Sequence, residues 1–210
     1  MDHRTRKRDL FSAADALKGI PGASFSADKW REEFRFGKQR SMRCDIMVET
    51  IAAARRRLYQ FEGRQIVLPP VGKPPAETMF THDPVNSPEK IAKRPPGNIP
   101  EIEVLNIDCL DAAIFLRQHR SLHPLVLNMA SDVTPGGGYL TGAGAQEESV
   151  FRRSDYFMRV SREEYPIPES SGIYTPGVLV FRGSEGTGYE FLPEPVAIDF
   201  FAMPAYRNPP

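Results

Sequence analysis

Cysteine is scarce in this 210-residue sequence: Cys44 and Cys109 are the only two. They are far apart and belong to no CxxC or Cys/His set, which argues against a disulfide framework or a structural zinc. No apolar run approaches the roughly 20 residues that a bilayer span requires. The basic RTRKR near the N-terminus has no apolar segment behind it, so it does not read as a secretory signal. Charge of one sign is also lacking, because Lys+Arg and Asp+Glu both number 27. No global field draws the chain to nucleic acid or a membrane surface, and any anion site must be built locally. None of the four histidines clusters in a ligand pattern, so no metal and no cofactor is expected. A reducing, intracellular setting follows as the expectation, cytoplasmic or nuclear.

What is present fits a soluble globular protein rather than a disordered or membrane one: 40% hydrophobic and 26% charged residues. Residues 1–40 mix charge, Gly and Ser with little periodicity and read as a flexible arm, with a short helix near Leu10–Leu17; Trp30 gets no role. Ser41 is a candidate cap for a helix in which Ile46, Met47, Ile51, Ala54 and Leu58 recur at helical spacing, with Gly63 as its stop. A short strand is expected at Gln65–Leu68. Residues 69–100 hold nine prolines and read as a long connection that completes an accessory region over 41–100.

From 101 the pattern alternates. EIEVLNI (Glu101–Ile107) reads as a strand, Asp108 as the cap of the helix CLDAAIFLRQHR, and PLVLNMA (Pro124–Ala130) as a strand buried on both faces. A glycine loop follows, then a helix EESVFRRSDYFMRV that ends before Pro166. Strands are expected at Gly177–Arg182 and Pro195–Ala205, with RGSEGTGYEF as the hairpin connection between them. Such alternation predicts a largely parallel sheet between helices.

Five glycines lie between Gly136 and Gly144, followed by the adjacent acids Glu147 and Glu148. The loop leaves the carboxyl edge of a sheet strand, where α/β proteins bind ligands. Gly136, Gly137 and Gly138 permit positive φ and a close backbone approach, and their N–H groups can converge on an anion. No GK[ST] follows, so this is not a Walker loop, and no GxGxxG opens a helix directly. Neighbouring helical residues point about 100° apart. Two adjacent Glu side chains therefore cannot flank a glycosidic bond in the manner of the separated glycosidase pair. One acid/base with a substrate-holding neighbour fits better. The bland alternative is a pair of N-terminal acids complementing the helix dipole. Arg152 and Arg153 read as a solvated helix face, and Cys109 as a small core residue.

GGGYLTGAGAQEES has the spacing GGG-x7-QEE, and this resembles the signature of poly(ADP-ribose) glycohydrolases. The flanking VLNMASDVTPGGG, FRRSDYF, GVLVFR, AMPAYRNP and VETIAAA are similar to the microbial-type branch of that family. The resemblance covers about residues 40–210. It implies a macrodomain-like fold, a three-layer α/β/α sandwich with a mixed central sheet and ADP-ribose at the sheet's carboxyl end. It implies that Glu148 is the acid/base and that Glu147 holds the distal ribose, with Gln146 positioning the pair. Gly136, Gly137 and Gly138 would shape the site around the ribose, and Asn128, Ser131 and Tyr139 would line it. ADP-ribose, or poly(ADP-ribose) on modified proteins, is the implied partner, with an ADP-ribose-binding module that lacks turnover, or an inactive fragment, as the alternatives. The family carries further elements after the strand resembling VAIDFFAMPA, among them a second glycine-rich loop for the diphosphate. None is found in this sequence, so residues 101–210 are expected to form a core missing its C-terminal part, with an apolar edge exposed on the last strand and weakened ADP-ribose binding.

Overall fold

The computed structural model describes residues 39–72, 79–81 and 102–205. The arm up to residue 38, Leu10–Leu17 and Trp30 lie outside these residues, as does most of the proline-rich connection.

Helix α1 spans Gln39–Arg56. Its buried stripe sets Met42 and Ile46 against Tyr189, Met47 and Ile51 against Leu140, and Ala53 and Ala54 against Leu179 and Phe181. The helix is shorter than its periodicity predicted. Arg57 takes a left-handed φ of 56°, and Leu58–Phe61 become strand β1, paired antiparallel with β2 (Arg64–Val67). Glu62 and Gly63 both have positive φ. That is the geometry of a tight hairpin turn, so Gly63 turns a hairpin rather than stopping a helix.

The central sheet is mixed, in the order β3-β5-β6-β4. Its strands are β3 (Met79–Thr81), β4 (Leu125–Ala130), β5 (Ser171–Arg182) and β6 (Phe191–Pro204). Only β4 and β6 run parallel; β5 is antiparallel to both β3 and β6. The largely parallel sheet expected from the alternation is thus replaced by a mixed one. β5 starts six residues before the expected Gly177. A register shift between Thr175 and Val178 absorbs Pro176, and Gly177 sits there at a φ of 61°. A bulge tolerates a proline that would break a regular strand.

Helix α2 (Cys109–His119) begins at Asp108, whose side chain accepts from the Leu110 and Asp111 N–H groups. Helix α3 spans Gln146–Arg153. Both pack on one sheet face, where Leu110, Ala113, Val150 and Phe151 meet Val126, Val178, Val180, Ile198 and Phe200. Alternation along β5 turns Leu179 and Phe181 the other way, onto α1 and Tyr59 of β1. Helices therefore cover the sheet from both sides, giving the three layers of an α/β/α sandwich.

The expected helix through residue 160 stops at Ser154. Its hydroxyl donates to the Val150 carbonyl (2.7 Å), and the residue bridges to Val180 of β5. Asp155 is then fully buried. It accepts from the Leu179 N–H (2.8 Å) and forms ion pairs with Arg57 (3.0 Å) and Arg159 (2.8 Å). These bonds draw the chain along β5 instead of onward in a helix.

Two further expectations fail at the sheet margin. Residues 102–107 form no strand, and Ile102 and Val104 are exposed. β4 is buried on one face only: Val126, Asn128 and Ala130 point inward, while Leu125, Leu127 and Met129 are 58%, 48% and 62% exposed. β6 has a partner on each side, so among the described residues the free apolar edge falls on β4 and not on the last strand. No helix among the described residues is long and apolar enough to cross a membrane.

Candidate active site

Strand β4 delivers the chain to Ser131, whose hydroxyl accepts from the Val133 (3.3 Å) and Thr134 (3.2 Å) N–H groups and starts the turn. Gly136 and Gly137 follow with φ of 74° and 51°, conformations that side-chain-bearing residues rarely adopt. Space is as restrictive as torsion. A Cβ on Gly136 would lie 2.5 Å from the Phe151 ring, and one on Gly137 would lie 2.7 Å from Oε1 of Glu148 and 3.2 Å from Oε2 of Glu147. The glycines bring backbone directly against the two carboxylates.

Those carboxylates take the loop's donors. Glu147 accepts from the N–H groups of Ser131 (2.8 Å) and Gly136 (3.1 Å) and from Nδ2 of Asn128 (3.4 Å). It thereby staples the end of β4 to the glycine turn. Glu148 accepts from the Gly138 N–H (2.9 Å), and the Gly137 N–H donates to the Thr134 carbonyl (3.0 Å). The three glycine amides are therefore spent inside the protein and do not form a vacant anion cradle. The same bonds bring Asn128, Ser131, Gly136, Gly138, Glu147 and Glu148 together at one point.

The two acids differ in what they have left. Glu147 is 3% exposed, and burial pushes its carboxyl up to about 7 against the donors that hold its charge. Glu148 is 8% exposed; Oε1 is held by Gly138, whereas Oε2 is buried without a hydrogen-bond partner. A buried carboxylate oxygen with no donor is costly, and it offers its lone pairs to whatever enters.

Gln146 turns away from the pair. Its Nε2 donates to the Leu127 carbonyl (2.8 Å) and its Oε1 accepts from the Met129 N–H (3.0 Å), so it ties the start of α3 to the outer edge of β4. Tyr139 is half-buried and tilted against Phe151, ring centroids 5.0 Å apart. It lines a cavity of about 610 Å³ together with Gly137, Gly138, Thr141, Phe157 and Arg162.

Three further positions depart from the sequence expectations. Arg152 and Arg153 are fully buried, not solvated. Arg153 reaches the Asp108 carboxylate (2.6 Å), Asp111 and the Arg182 carbonyl (3.2 Å). Arg152 donates to the Ala143 carbonyl (2.6 Å), which fixes the far side of the glycine loop. Cys109 is exposed, with its Sγ 3.6 Å from Nε2 of Gln146. No local signal marked the arginines, because their partners lie on other elements.

The sequence pattern of the microbial-type PARG catalytic domain matches residues 47–183. The chain belongs to the microbial-type PARG family. Among solved structures it is similar to the poly(ADP-ribose) glycohydrolase from Thermomonospora curvata, at 29% identity and a TM-score of 0.58, over 79% of this chain and 65% of that one. The same Thermomonospora enzyme bound to the inhibitor ADP-HPD gives 30% identity and a TM-score of 0.56, over 79% and 63% of the two chains. This PARG-family chain thus spans just under two thirds of the length of these relatives. No curated protein matches it.

Proposed function

We propose that this PARG-family chain is a glycosidase that hydrolyses O-glycosidic ADP-ribose linkages, releasing ADP-ribose from poly(ADP-ribose) or from modified proteins inside the cell. The observation that carries this is Glu148: one oxygen fixed by the Gly138 N–H, the other buried and unpartnered. Family membership and the similarity to a glycohydrolase that takes ADP-HPD support the choice of substrate.

In this proposal Glu148 gives its proton to the leaving oxygen as the bond to the ribose anomeric carbon breaks. The sugar takes on oxocarbenium character. The resulting Glu148 carboxylate then removes a proton from water as that water adds to the anomeric carbon, which restores the acid. Glu147 takes the holding role. A carboxylate has about four lone-pair sites, and the three donors leave room for a ribose hydroxyl. Gly137, which admits no side chain, lets the sugar approach both acids.

The test is chromatographic measurement of ADP-ribose released from poly(ADP-ribose) by the parent and by Glu148→Gln. The amide keeps an oxygen for the Gly138 N–H, so the fold should survive. Turnover should fall by about 100-fold or more, while ADP-ribose still binds. Equal turnover in both proteins would sink the assignment of Glu148. Binding without turnover in the parent would favour a module that only holds ADP-ribose.

A further inference from the structure

Glu147 is supported by a residue that is itself loosely held. Of its three donors, Asn128 Nδ2 is the most distant, at 3.4 Å against 2.8 Å for Ser131 and 3.1 Å for Gly136. The other end of the same amide, Oδ1, is buried without a hydrogen-bond partner. One long bond leaves the amide free to tilt against the carboxylate it supports.

The sheet register shows what lies beside it. Asn128 faces Ala202 on β6, and Ala202 faces Ile173 on β5. Phe200 and Thr175 form the next inward pair along those strands. The fully buried Tyr156 ring stacks on Phe200 and leans on Phe151, with centroids 4.9 Å apart in both cases. Burial pushes its phenol up to about 12; the Thr175 and Asn128 side chains act on it in the opposite sense, as nearby donors do, and the charges of Glu147 and Glu164 raise it again. The phenol therefore keeps its proton near neutral pH and lies next to the Asn128 amide. Yet its hydroxyl, like Asn128 Oδ1, is buried and unpartnered. Two such groups on neighbouring side chains are costly apart and satisfy one another when paired. A hydroxyl can donate to Oδ1 and accept from Nδ2.

We propose that Tyr156 is a positioning residue: its hydroxyl pairs with the Asn128 amide when ribose draws on Glu147, and so fixes the angle from which Asn128 supports that carboxylate. The role rests on the proposed function for its substrate, and no proton passes between the phenol and the sugar. It has a consequence for titration. Burial raises the Glu147 carboxyl, the Ser131 and Gly136 N–H groups and the Asn128 amide lower it, and the Glu148 charge raises it. From the chain after α3, the Tyr156 and Tyr165 phenols feel the same carboxylate, both uncharged. Loosening Asn128 should therefore raise the pH at which Glu147 ionises.

The test is calorimetric titration of ADP-ribose into the full chain as parent, Tyr156→Phe, Asn128→Ala and the double variant, from about pH 5 to pH 9. Phenylalanine keeps the ring stack, so the fold should survive. Tyr156→Phe should weaken binding roughly tenfold, the share of one hydrogen bond that supports a charged group. It should also move the pH midpoint of binding upward. In the Asn128→Ala background the same change should do nothing further, because the hydroxyl acts through that amide. Unchanged affinity in Tyr156→Phe, an unmoved midpoint, or an equal loss with and without Asn128 would overturn the role. A parent that binds no ADP-ribose would overturn it together with the choice of substrate. The hydrolase proposal is judged separately, by ADP-ribose release from the parent. Release without coupling between the two positions sinks the role of Tyr156 alone. Coupled binding without release sinks the hydrolase alone.

Discussion

The two faces of β4 have the same length and nearly the same apolar content, yet they serve opposite ends. On the inner face Val126 enters the core, Asn128 reaches Glu147, and Ala130 leads into the glycine turn. On the outer face Leu125, Leu127 and Met129 touch solvent, alongside Met203 of β6. What β4 contributes to the site comes wholly from its inner face and its carboxyl end. Apolar composition therefore says that β4 belongs in a sheet, but alternation and partner strands decide which half of it matters.

The sharpest way to break the contrast is on the inner side. Gly137→Ala places a methyl 2.7 Å from Oε1 of Glu148 at a φ of 51°. ADP-ribose release should fall at least about tenfold, because displacing an acid/base by a fraction of an ångström costs that much or more. An assay showing parental turnover would mean that the glycine turn is softer than its packing indicates.

Glu147→Gln comes next. Both oxygens of Glu147 face N–H donors, so an amide must turn its own NH2 toward one of them. A loss of about 1–3 kcal/mol in urea unfolding is expected. The parent should also show a pH effect that the variant lacks. The folded Glu147 carboxyl is raised to about 7 from an ordinary 4.5, so the folded state holds the proton more tightly. The stabilisation is complete below the unfolded value and declines as pH rises through this window, by on the order of 3 kcal/mol. Unfolding free energy that rises with pH between these values in the parent would show that the donors outweigh burial.

The smallest effects belong to the outer face. Leu127→Thr and Met129→Thr should each change stability by no more than about 0.5 kcal/mol, as expected of exposed positions. Sedimentation should show less self-association. A loss as large as that of an inner-face variant would mean that the outer face is covered in solution.

Much of this contrast was written in the sequence, but unevenly. The glycine triplet and the acids were legible because the chemistry needs those residue types in one short segment. Asp108 was legible as a cap because capping is local. Physical reasons separate these from the failures. The strand β5 was expected only from Gly177, because the bulge that lets it run through Pro176 is set by the partner strand and not by the residues around it. Arg153 looked like a solvated helix face because Asp108 and Asp111 reach it only through the fold; although burial pulls the other way, that pairing holds the Asp108 carboxyl below its ordinary range. β4 looked doubly buried because a continuous apolar run cannot say whether a second layer covers it. The different hydrogen bonding of Glu147 and Glu148 was not readable from spacing at all, since it depends on which amides each carboxylate meets.

Gln146 carries a consequence beyond the site it introduces. Its amide offers a carbonyl oxygen to the Met129 N–H and an N–H to the Leu127 carbonyl, which is the pattern a neighbouring strand's backbone would present. An open sheet edge is a template on which other chains can zip. Here the two groups that a stray strand would seize first are already occupied by a side chain that cannot propagate the ladder. The residue next to the two proposed catalytic acids thus also blocks part of an open sheet edge, so a variant at this position is expected to lower solubility as well as to probe chemistry.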